Sequence, residues 1–213
     1  MIFLLDDPLS ETSHSKDMLG ILAEHTTQPV QHIPLLPNLP MFDLVALVLS
    51  LAPKCLGTDV VLCPWSVPGN LALDNAFTEL SKVCAVVAAA GHNGGYVNEV
   101  SPARAHGVTA VGLLNKRGEI SASATRTKGK PIQWVVGTNY LLNGRFISGS
   151  SVSAAVYAAC LAEALACGFF VGCQQKLNAY HQKCWEEVSG TPSSVNPPTL
   201  VPTITLGNSH GQN

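Results

Sequence analysis

The chain has 213 residues, of which 46% are hydrophobic and only 12% charged, with a formal net charge of −2. That length fits one domain with a short appendage and buries enough surface to fold without cross-links. The composition excludes a charge-solvated disordered chain, and the lack of any basic run argues against a nucleic-acid partner.

The predicted elements alternate. MIFLL (1–5) is a short apolar run stopped by Asp6-Asp7-Pro8 and reads as a buried strand. From Ser15 to His25, Met18, Leu19, Ile21 and Leu22 recur at helical spacing. PVQHIPLL is extended and bounded by prolines; Phe42 to Ala52 is an apolar helix after the Asn38-Leu39-Pro40 breaker. DVVLC (59–63) is a strand and Asn70 to Lys82 a helix with Leu71, Leu73, Phe77 and Leu80 on one face. VCAVVAAA (83–90) is a further strand ended by GHNGG, followed by strands at VTAVGLL (108–114) and IQWVV (132–136). A long Ala-rich helix runs from Ser151 to about Cys167. Leu177, Tyr180, His181, Cys184, Trp185 and Val188 form a last helical stripe, which faces either the core or a partner. Fully apolar strands alternating with helices imply a three-layer α/β/α fold with a mostly parallel central sheet. The domain is expected over 1–188, with a polar, proline-containing tail over 189–213 in which PTLVPTITL adds at most an edge strand.

Compartment signals are few. MIFLLDDP has no basic region and is not read as a signal peptide. The most apolar stretch, 154–171, is just long enough to span a bilayer but carries Glu163 and no basic flank, so it reads as a buried core helix and no membrane partner is expected. The seven cysteines include no CxxC and several sit in apolar segments, which points to reduced thiols and a cytoplasmic location. No Cys/His set has zinc spacing and no acidic loop forms a calcium cage, so neither metal nor cofactor is expected.

In a parallel sheet the active groups gather at the carboxyl ends of the strands. Asp6 lies just past the first strand, and His14 eight residues later opens the next helix, a loop short enough to fold the two together. Ser151 follows a glycine at the start of the Ala-rich helix, where backbone N–H groups face any developing anion. Asp6, His14 and Ser151 would make a nucleophilic triad. His92 and Asn93 in Gly91-His92-Asn93-Gly94-Gly95 are candidate oxyanion donors. Read singly, these residues have plainer roles. Ser151 then caps a helix, Asp6 is a turn residue with Asp7 its competitor, and His14 is a surface or capping histidine. His25, His32, His106, His181 and His210 carry no motif, and Trp65 and Trp134 read as core or cleft wall.

These segments, taken in order, resemble the subtilisin-like serine proteases over about residues 1–170. IFLLDDPL is similar to the strand that carries that family's catalytic Asp, and SHSKDMLGILA to its SHGTHVAGIIA. DVVLCPWSVPG resembles DVINMSLGGP, VVAAAGHNGG resembles VVAAAGNEG, and FISGSSVSAAVYAACLAEAL resembles YVSGTSFAAPHVAGAAAL. VSPARAHGVTAVGLLNKRGEISASA is similar to the family's YPA…VIAVGAVD…ASFS stretch. The resemblance implies a subtilisin-like fold and a serine endopeptidase acting on a protein or precursor peptide through Asp6, His14 and Ser151. Its substrate would lie between Pro64, Trp65 and Ser66 on one side and Ala89, Ala90 and Gly91 on the other. The chain departs from the family in several places. Ser15-Lys16-Asp17 replaces Gly-Thr-His, His92 stands where the oxyanion Asn is expected, and Ala155 replaces a proline. Ser66 and Val67 replace two glycines, which narrows the first specificity pocket. These departures motivate the alternative, an inactive relative kept as a binding or scaffold module. The low charge hints at a partner protein or an oligomer. A flavodoxin-like binding domain is the reading outside the family, and the absence of a phosphate loop counts against it.

Overall fold

The structure, a computed structural model, describes residues 1–10, 13–168 and 170–189. In chain order its elements are β1 (Ile2–Asp6), α1 (His14–His25), β2 (Val30–Pro34), α2 (Met41–Leu51), β3 (Val60–Cys63), β4 (Val67–Pro68), α3 (Leu71–Leu80) and β5 (Ala85–Ala89). There follow β6 (Val100–Ser101), β7 (Thr109–Leu114), β8 (Gln133–Val136), β9 (Tyr140–Leu142), β10 (Arg145–Ile147), α4 (Ser150–Ala166) and α5 (Phe170–Ser189).

Six strands form one parallel sheet in the order β2-β1-β3-β5-β7-β8. The apolar runs follow from burial on both faces. Ile2, Leu4, Val60, Leu62, Val87 and Ala89 pack with Met18, Ile21 and Leu22 of α1 and with α4. The alternate residues Phe3, Leu5, Val61, Cys63, Val86 and Ala88 pack with Leu44 and Val48 of α2 and Phe77 of α3. This is the expected three-layer arrangement. The chain steps from β1 out to β2 and then back across β1 to β3, so the strand order reverses there. A crevice opens at such a point, beyond the carboxyl ends of the strands, and here those ends are Asp6 and Cys63.

α4 is buried on nearly every side, which its run of alanines permits: small side chains let it lie close to β3, β5, β7 and β8 while α1 and α5 cover it. α4 ends at Ala166, beside the bound of about Cys167 read from the sequence, so the apolar stretch 154–171, read from its hydropathy as one buried helix, is divided between two. Gly168 takes the left-handed φ of +69° just past the C-cap Cys167, where a glycine ends a helix at least cost, and α5 then packs against α4. No helix among the described residues is long and apolar enough to cross a membrane.

The stripe on α5 faces the core. Cys184 packs with Leu114 and Val136. Tyr180 Oη donates to the Val136 carbonyl at 3.0 Å, and the Val136 N–H donates to His181 Nε2 at 3.3 Å. Side chains of α5 thus satisfy the backbone of the edge strand β8, which would otherwise offer a free ladder. Burial holds the His181 pKa down to about 4, so its ring is neutral and free to accept. The side chains of Trp185 and Val188, residues 190–213 with the PTLVPTITL segment, and His210 lie outside the described residues.

The β9–β10 hairpin was not expected from apolar periodicity. Its signal is Asn143-Gly144, with φ of 50° and 79°, the two-residue turn that matches strand twist. Gly20 of α1 meets it closely: a Cβ there would stand 3.1 Å from Leu142 Cδ1.

Candidate active site

Asp6 ends β1 and is 4% exposed. Its two carboxylate oxygens are both used: Oδ1 accepts from the Asp7 N–H at 3.0 Å, and Oδ2 lies 2.8 Å from His14 Nδ1. His14 is the first residue of α1. The start of that helix is fixed twice over. Ser13 Oγ accepts from the Lys16 N–H at 3.3 Å, and the Asp7 carboxylate accepts from the N–H groups of His14 at 3.3 Å and Ser15 at 2.7 Å. The two adjacent aspartates therefore separate by position. Asp7 caps the helix through its backbone donors, while Asp6 meets the imidazole.

Burial alone would lower the His14 pKa, but the hydrogen bond and charge of Asp6, with the charges of Asp7 and Asp17, outweigh it and raise the pKa above its usual 6.5. The Asp7 carboxyl is shifted the other way. Its burial opposes ionisation, yet the Ser15 and His14 donors and the His14 charge bring its pKa below 3.8.

Ser151 stands in the first turn of α4 and is 9% exposed. The turn is held over β8 by close glycine contacts. A Cβ on Gly137 would come within 2.2 Å of Ser153 Oγ and 2.8 Å of the Gly149 carbonyl, so only glycine fits there. Gly149 N–H donates to the Gly137 carbonyl at 3.1 Å, and Ser153 Oγ donates to the Val135 carbonyl at 2.9 Å.

His14, Pro64, Trp65, Ser66, Ala89, Gly91, His92, Asn93, Ser150 and Ser151 line one cavity of about 310 Å³. It opens where the reversal in strand order places a crevice. Trp65 Nε1–H donates to the Leu5 carbonyl at 2.8 Å and its ring meets Phe77 edge-on, so the cleft-wall reading holds for Trp65. Among the described residues no hydrogen bond reaches Ser151 Oγ; such contacts are often long before substrate binds. Around Gly149, a Cβ would lie 3.1 Å from Ser151 Oγ and 3.6 Å from His92 Cε1, so the serine and this ring flank the same glycine.

The cavity gathers all but two of the site residues singled out from the sequence; Asp6 stands behind His14 rather than in the lining. The other is Ala90, whose side chain is fully buried in the α2–α3 layer because the pleat turns it away from Ala89. One lining residue went unnoticed in the sequence. Ser150 is 1% exposed and its Oγ lies 3.3 Å from His92 Nδ1; its place beside Ser151 was the only signal. His25 and His32 lie elsewhere, paired with Tyr140 Oη and the Asp7 carbonyl, each at 2.9 Å.

By sequence the chain matches no protein-family model and no curated protein. By structure it is similar to a cold-adapted subtilisin-like serine proteinase, at 16% identity and a TM-score of 0.69 over 83% of this chain and 78% of that one. It is also similar to the prenylagaramide maturation protease PagA, at 14% identity and 0.58 over 82% and 80%. The patellamide maturation protease PatA matches at 16% identity and 0.61 over 82% of both chains. The chain has the subtilisin-like fold.

Proposed function

We propose that the protein is a serine endopeptidase in which Ser151 is the nucleophile, His14 the general base and Asp6 the group that orients His14. What carries the reading is the Asp6–His14 pair, 2.8 Å apart, at the rim of a cavity that Ser151 also lines, at the carboxyl edge of a subtilisin-like sheet. With Asp6 on Nδ1, the neutral ring keeps Nε2 as its basic atom. That nitrogen takes the Ser151 proton as the oxygen bonds to the scissile carbonyl carbon. It then passes the proton to the leaving amine, and water releases the acyl group by the same route. His92 supports the developing oxyanion together with the Ser151 N–H at the start of α4, with Asn93 the competing donor. Pro64, Trp65 and Ser66 face Ala89 and Gly91 across an extended substrate, while the Ala90 side chain turns away from it. Two of the similar proteins, PagA and PatA, are maturation proteases, which supports a precursor peptide or protein as the substrate here.

Labelling with a fluorophosphonate probe and peptide mapping tests the reading. An adduct on Ser151 that disappears in Ser151→Ala and His14→Ala is the expected result. Folded wild-type protein that takes no label across a pH series would defeat it and leave a binding module.

A further inference from the structure

His92 stands where the resemblance puts an asparagine, and the two side chains do not donate alike. An asparagine amide always carries N–H donors, whereas a neutral imidazole donates from one nitrogen and carries a lone pair on the other. Which nitrogen holds the proton is set by what the other one meets. As an oxyanion donor, His92 therefore depends on a second group that fixes its tautomer.

Ser150 is placed to be that group. It is the first residue of α4 and is 1% exposed, too deep in the fold to act as a nucleophile itself. Its Oγ lies 3.3 Å from His92 Nδ1, and among the described residues the hydroxyl has no other hydrogen-bond partner. The direction of the bond follows. If Nδ1–H donated, the buried Ser150 O–H would be left without an acceptor, which folded proteins avoid, and the Nε2 lone pair would face the reacting oxygen. If Ser150 donates, both groups are met and the ring proton sits on Nε2. The ring is turned to use that proton. Ser151 Oγ, His92 Cε1 and Ser151 N lie 3.1, 3.6 and 3.8 Å from one point, the position of a Cβ on Gly149. Cε1 is one bond, about 1.3 Å, from Nε2, so Nε2 and the Ser151 N–H border the same spot beside the nucleophile.

We propose that Ser150 is a positioning residue of the oxyanion site: it donates to His92 Nδ1 and holds the ring with its proton on Nε2, where that proton meets the oxygen of the carbonyl that Ser151 attacks. The inference rests on the peptidase reading and deepens it. Ser150 acts through the ring rather than on the substrate, and the Ser150–His92 pair does what a single asparagine amide does elsewhere.

The tautomer can be read directly, without turnover. Proton–nitrogen correlation spectra of ring-labelled histidines at about pH 9, where imidazoles are neutral, distinguish the protonated nitrogen from the bare one. The signals of His92 are those lost in His92→Ala. Wild type and Ser150→Thr, which keeps the hydroxyl, are expected to carry the proton on Nε2. Ser150→Ala, and Ser150→Val as the match to threonine in shape, should move both ring nitrogens toward an average of the two tautomers. A proton on Nδ1 in wild type, or shifts unmoved by loss of the hydroxyl, overturns the proposal. In peptide cleavage, Ser150→Ala and Ser150→Val should lower kcat by about 10-fold with KM little changed, less than the loss of roughly 10²–10³ for a missing donor, and Ser150→Thr should restore it. In a His92→Ala background, loss of the hydroxyl should cost less than about 2-fold. An undiminished loss there would show Ser150 acting apart from the ring and overturns the proposal. Fluorophosphonate labelling separates the failures. Protein that labels at Ser151 but carries the His92 proton on Nδ1 refutes the role of Ser150 alone. Protein that neither labels nor cleaves peptide refutes the peptidase reading, and the role of Ser150 with it.

Discussion

Replacing Glu163 by Gln removes a charge and almost no volume from the clamp that ties α4 to the corner between α1 and β2. One oxygen of Glu163, Oε1, accepts from Thr26 Oγ1 at 2.7 Å, the Thr27 N–H at 2.7 Å and Thr27 Oγ1 at 3.0 Å; Lys176 Nζ stands 3.6 Å from the other. The Thr26 hydroxyl first, then the Thr27 N–H and hydroxyl and the Lys176 charge, bring the Glu163 pKa from 4.5 to about 2 against the effect of burial. At about 1.4 kcal/mol per pKa unit, the shift is worth about 3 kcal/mol, and the side chain is only 12% exposed. The folded pKa is depressed, so this stability is complete above the unfolded value of 4.5 and is lost as pH falls toward about 2. About half remains at roughly pH 3 by the same linkage. Urea unfolding of wild type and Glu163→Gln should show a gap of about 2–3 kcal/mol near pH 6 that shrinks by about half near pH 3. A gap of the same size at both pH values, or none at pH 6, would refute the reasoning. The clamp matters to the site because α4 carries Ser151 at its start and α1 carries His14.

Asp6→Asn should lower kcat by about 10⁴ through the wrong His14 tautomer and, by removing the group that raises the His14 pKa, move the acid limb of the pH profile to lower pH; an unmoved limb on active protein refutes the pairing. Asp7→Ala should cost about 1–2 kcal/mol as a lost helix cap while Ser151 still labels, and a loss of labelling as complete as in Asp6→Asn would reverse the two roles. His92→Ala should reduce kcat by about 10²–10³ with Asn93→Ala far milder; the opposite order assigns the oxyanion to Asn93. In thermal melts, the stability His14 gains from Asp6 should be full below about pH 6.5 and fade as pH rises through the raised folded value, a trend absent from His14→Ala.

Much of the fold was legible because burial writes itself into sequence. Runs such as VVLC and AVVAA have no polar face and fit only a strand covered on both sides. Asp6 stood out as a candidate because it closes such a strand, and His14 and Ser151 because each stands at the start of a helix. What lay beyond local pattern was set by contacts distant in sequence. Periodicity could not tell that Asp7 rather than Asp6 would meet the α1 donors. Ala90 reads like Ala89 in a run of alanines, and only the pleat in the folded sheet decides which of them faces the cavity. The neighbours that crowd Gly91 are Ser66 and Thr125, 25 and 34 positions away. Sequence determined the layers and the strand ends because these follow from residue type alone. Tertiary structure decided the distances at the site, because a gap of a few ångströms is fixed by which walls the sheet brings together.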